Sequence, residues 1–160
     1  MFRLGGAALI FLASLLLSRA YSAAERKRLL VCEGLLSFVR FVREQVGCFR
    51  TPTGDIYRSF FHKELEECGF LPALRERGFE AAVKRLGEKN ALSDEELRVL
   101  RGFAAMLGKG QTEGQLRLCD YTERALLEAL GKRRENAPRQ TRVFGTLSVT
   151  GGLMMIILLL

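Results

Sequence analysis

The chain of 160 residues carries 25 Lys and Arg against 18 Asp and Glu, a net charge of +7, with four Cys, one His, three Pro and no Trp. That length holds one compact core, and a composition rich in Leu, Ala, Arg and Glu with little turn chemistry excludes a many-stranded sheet and selects an all-α fold. Cys32, Cys48, Cys68 and Cys119 lie far apart with no CxxC pair, and His62 alone could join them, which excludes a zinc motif or disulfide framework and reads as buried, reduced thiols on the cytosolic side.

Residues 4–17 (LGGAALIFLASLLL) contain no charge. With their neighbours they approach the roughly 20 residues that span a hydrocarbon core, so residues 1–21 are expected to form a transmembrane helix. Arg19, Arg26, Lys27 and Arg28 follow, with Glu25 the one carboxylate among them. A cleaved signal peptide is the alternative, with Arg3 as its n-region and Ala20-Tyr21-Ser22 as its small-residue site. It would leave a secreted helical domain with a C-terminal anchor, but the cations directly after the apolar run resist export.

Beyond Tyr21, Val31, Leu35, Phe38, Val42 and Val46 recur at spacings of four, three, four and four, which predicts a helix continuing unbroken to about Gly47. Thr51-Pro52 opens the next helix, with Thr51 at N-cap and Pro52 at the first helical position. Ile56, Phe60 and Leu65 form its inner face, and Gly69 closes it. A short segment from Leu71-Pro72 to Arg77 stops at Gly78, and Phe79 to Leu86 makes another helix ending at Gly87. Ser93-Asp94-Glu95-Glu96 is a capping box, followed by Leu97, Leu100, Ala104 and Leu107 on one stripe. Gly108-Lys109-Gly110-Gln111 breaks the chain. From Thr112 or Glu113 a long helix then carries Leu116, Cys119, Leu126, Leu127 and Leu130, and Pro138 is placed to kink it.

Residues 143–160 (VFGTLSVTGGLMMIILLL) are again uncharged, preceded by Lys132, Arg133, Arg134, Arg139 and Arg142 with Glu135. Cations thus gather on the inner rims of both apolar runs, which places residues 22–142 in the cytoplasm between two membrane helices. The rims also account for the excess charge. From Leu29 to Gly131 the chain has 15 basic and 16 acidic residues, which excludes a nucleic-acid surface. The expected architecture is a cytoplasmic bundle of about six helices flanked by a transmembrane helix at residues 1–21 and another at 143–160.

The sequence carries no catalytic constellation. His62 has no Ser, Cys or Asp partner at a triad or metal spacing, so it reads as structural. A membrane-tethered enzyme using His62 and a nearby carboxylate is the rival. Asp94-Glu95-Glu96 reads as a helix start that favours anions, and Glu64-Glu66-Glu67 as a solvated face. Gly108-Lys109-Gly110 lacks the phosphate-loop frame. No cofactor or metal is expected.

The Glu44 to Pro52 stretch (EQVGCFRTP), Leu107-Gly108 with Gln115 seven residues beyond the glycine, and the apolar runs at both ends together resemble the stage III sporulation protein AB family. That resemblance implies a non-enzymatic scaffold of the channel complex between mother cell and forespore in endospore formers. Its helical domain would be similar to the type II secretion inner-membrane platform protein. It implies a location in the mother-cell membrane around the forespore, with the bundle docking the secretion-type ATPase, sporulation protein AA. Glu44, Thr51, Pro52, Gly108 and Gln115 are the matching positions, expected to shape the bundle or its contact surface. Thr53-Gly54-Asp55 departs from the family, which commonly has a leucine after the Thr-Pro pair.

Overall fold

A computed structural model describes the backbone of residues 2–49 and 52–159, and the side chains of residues 12, 13, 16, 19–49, 52–135, 150, 151 and 154. Seven α-helices, and no strand among the described residues, make the chain all-α: α1 Phe2–Glu44, α2 Thr53–Ser59, α3 Lys63–Glu67, α4 Phe70–Arg77, α5 Phe79–Glu88, α6 Asp94–Met106 and α7 Thr112–Leu159. They fall into two compact units. Met1–Arg26 with Lys132–Leu160 form one, and Lys27–Gly131 form the other, the helical bundle. No helix among the described residues is long and apolar enough to cross a membrane. The two helices expected to do so, residues 1–21 and 143–160, have most of their side chains outside the described residues.

The bundle is organised around Phe38, which is fully buried on α1. Its ring meets Phe60 at 5.1 Å, Phe79 at 5.6 Å and Phe70 at 5.9 Å, and Phe79 reaches Phe103 of α6 at 5.4 Å. One aromatic chain therefore joins α1, α4, α5 and α6, with the geometry that ring quadrupoles favour. The α1 stripe buries Val31, Leu35, Phe38 and Val42 as its spacing requires, and Val46 packs partly against them. α5 buries Phe79, Ala82, Val83 and Leu86, the i, i+3, i+4, i+7 pattern of one helix face. On α7, Cys119, Leu126 and Leu130 are buried, whereas Leu127 is exposed, one position off the stripe.

Several boundaries differ from expectation. α1 does not stop at Gly47 but passes into a π-helical turn, Gln45–Phe49. α2 starts one residue late. Pro52 is its N-cap in an extended conformation, and the Pro52 carbonyl accepts from Asp55 N at 3.0 Å and Ile56 N at 3.2 Å. Thr51, the expected cap, lies outside the described residues.

The single helix expected from Pro52 to Gly69 is instead two. The Ser59 hydroxyl donates to the Asp55 carbonyl at 2.9 Å, a local bond that competes with the helix ladder. Phe60 then turns extended and is buried against Phe38. Its carbonyl accepts from Arg75 Nη2 at 3.1 Å, while Arg75 Nη1 donates to Glu66 Oε1 at the same distance. Glu66 is thus part of a packed clip and not of a solvated face.

Gly69 adopts the left-handed conformation, φ +82°, that closes α3 and opens α4. α5 runs through Gly87 to Glu88, and the left-handed residue beyond it is Asn90. The Ser93 capping box forms as expected, with Ser93 N donating to Glu96 Oε2 at 2.6 Å and Glu96 N to Ser93 Oγ at 3.4 Å. Glu96 is itself buried, with Cys32 Sγ of α1 4.0 Å from its other oxygen. α7 continues as helix across Pro138.

Candidate partner-contact site

At the end of the bundle where α1 finishes and α7 begins, four chain segments meet. Gly108, at φ +78°, turns the chain out of α6, a backbone state that side chains rarely adopt. Gln115, one turn into α7, is buried and spans that turn with both ends of its amide. Its Oε1 accepts from Gly108 N at 3.0 Å, and its Nε2 donates to the Lys109 carbonyl at 2.7 Å. Two backbone groups that the loop leaves without a helical partner are satisfied by one side chain.

Gly108 in turn lies under the start of α2, where a Cβ would stand 3.3 Å from Thr53 Cγ2. On the other side, the π-helical turn lies against α7, where a Cβ on Gly47 would come within 3.3 Å of Leu116 Cδ2. Glu44, the last residue of α1, is exposed and lines a cleft of about 530 Å³ with Arg40, Arg43, Gly47, Cys48 and Leu116. Arg40 Nε pairs with Glu123 at 2.7 Å and Arg43 Nε with Asp120 at 2.8 Å. Exposed pairs of this kind link α1 to α7 but add little stability.

The structure therefore brings Glu44, Pro52, Gly108 and Gln115, scattered over 72 positions of sequence, to one end of the bundle. Thr51 lies outside the described residues. Two features of this end had no sequence signal. The aromatic side chain of Phe49 stands 67% exposed in the π-helical turn, and such turns recur at functional sites. Cys48 beside it is exposed, which corrects the expectation of four buried thiols; Cys32, Cys68 and Cys119 are buried.

A second concavity, of about 450 Å³, runs between α6 and α7, with Gly102, Phe103, Met106, Leu118 and Tyr121 among its walls. Met106 and Tyr121 are exposed there. Neither falls on the apolar stripe that sequence periodicity picks out.

His62 lies elsewhere, between α2 and α3. Its Nδ1 is 3.3 Å from Glu64 Oε2, and its ring packs over Gly34 of α1. Burial pushes the thiol of Cys68 up, against the opposing pull of Lys89 and Lys27, and pushes that of Cys119 up to about 11. No group of three or more metal-ligating side chains occurs among the described residues.

These features define an all-helical bundle with a glutamine-pinned end that carries an exposed aromatic side chain. The chain belongs to the stage III sporulation protein AB family, whose model matches residues 3–160. No curated protein and no solved structure matches it.

Proposed function

We propose that the chain is a non-enzymatic scaffold of the channel complex between mother cell and forespore. In this reading it is anchored by its apolar ends in the mother-cell membrane around the forespore, and its bundle faces the cytoplasm to dock the secretion-type ATPase, sporulation protein AA. Family membership supports the sporulation role. One observation carries the docking role. The family-matching positions Glu44, Pro52, Gly108 and Gln115 converge on the end of the bundle where Gln115 pins the Gly108 turn and where the aromatic side chain of Phe49 is exposed to solvent. Aromatic side chains are prominent among the residues that carry binding energy at protein interfaces.

The test is co-purification of the tagged full-length chain, solubilised in detergent, with the ATPase. Retention by the wild type and its loss in Phe49→Glu support the proposal. Absence of retention even at low salt argues heavily against it. Full retention by Phe49→Glu would move the contact to another face.

A further inference from the structure

Leu12, Leu16, Arg19, Ala23 and Arg26 recur on α1 at spacings of four, three, four and three, which puts them on one helix face. All five are exposed, Leu12 by 57% and Leu16 by 61%. Along this face the side chains change from aliphatic to guanidinium within a single turn. Among the described residues neither Arg19 nor Arg26 has an ion-pair partner. The nearby carboxylate, Glu25, is paired with Arg133 of α7, 3.9 Å away in the same unit.

Exposed leucines followed directly by exposed arginines match a surface that is itself layered, with hydrocarbon below and phosphate above. We infer that this face of α1 binds anionic phospholipid, with acyl chains along Leu12 and Leu16 and the headgroup phosphate on Arg19 and Arg26. The inference rests on the membrane-anchored reading and adds a lipid preference to it.

The full-length chain is purified in nonionic detergent and exposed to phosphatidylglycerol or phosphatidylcholine, and retained lipid is counted by native mass spectrometry. Flotation with vesicles of each lipid is measured in parallel. Phosphatidylglycerol should be retained in preference. The Arg19→Gln/Arg26→Gln variant should lose roughly thirty-fold of that preference, from roughly five-fold per surface charge. Arg98→Gln/Arg101→Gln, which removes two exposed cations from α6, should leave it unchanged.

Equal retention of both lipids with normal flotation overturns this inference alone and leaves the anchored reading standing. An equal loss in the α6 variant also overturns it, because net charge and not the stripe would then be responsible. A chain that floats with neither lipid overturns the membrane reading and this inference together.

Discussion

Gly34 of α1 has no room for a side chain because His62 lies on it. A Cβ there would stand 2.8 Å from His62 Nδ1, 2.9 Å from His62 Cε1 and 2.9 Å from Leu65 Cγ. Leu65 is fully buried, so it cannot simply swing aside. The one imidazole of the chain thus seats the junction of α2 and α3 against α1. Gly34→Ala should cost about 1–3 kcal/mol through overpacking. His62→Ala should relieve the imidazole's share of that cost while the clash with Leu65 remains, a partial coupling readable in a double-mutant cycle of urea midpoints on the full chain. Additive effects would show that the contact is slack.

Gln115 should be intolerant of isosteric change. Gln115→Leu keeps the bulk but leaves Gly108 N–H and the Lys109 carbonyl without their partner, at a cost of about 1–3 kcal/mol. Gln115→Glu keeps the acceptor for Gly108 but sets a carboxylate oxygen against the Lys109 carbonyl, so it too should destabilise. Denaturant unfolding followed by circular dichroism checks both, and a Leu variant as stable as wild type would show that water replaces the amide.

Much of the bundle was legible in one dimension, and the exceptions share a cause. The Ser93 to Glu96 cap and the Val31, Leu35, Phe38, Val42 stripe depend on residues within a few positions of each other, so spacing alone reveals them. The break between α2 and α3 depends on Arg75 reaching back 15 residues to the Phe60 carbonyl, a partner that exists only once the chain is folded. At the pinned end, the seven-residue separation of Gly108 and Gln115 was visible, but the two-ended amide bridge behind it was not. The exposure of Cys48 and Phe49 follows from a π-helical turn, for which a run such as QVGCF carries no periodic signature.

Cys48 makes the chain its own topology reporter, being exposed where Cys32, Cys68 and Cys119 are buried. A maleimide should modify one thiol in the native protein and four after denaturation, a count that intact-mass measurement reads directly. In intact cells a membrane-impermeant maleimide should leave Cys48 untouched until the membrane is opened. Labelling before that would place the bundle on the other side and remove the ATPase as its partner.

Cys119 should make the bundle sensitive to alkali. Burial raises its thiol from an ordinary 9.0 to about 11, so the folded state holds the proton over a range in which the unfolded chain releases it. Stability from this group is complete below pH 9 and declines as pH rises from 9 to about 11, because the folded state binds more protons there. The total is on the order of 2 kcal/mol. Burial raises Cys68 in the same direction, which steepens the slope. Replacing Cys119 with Ala lowers stability at neutral pH by opening a small cavity, but it should flatten the decline between pH 9 and 11 relative to wild type. Urea midpoints of the two proteins across that range separate the effects, since a cavity shifts every midpoint equally while a lost titration changes only the slope.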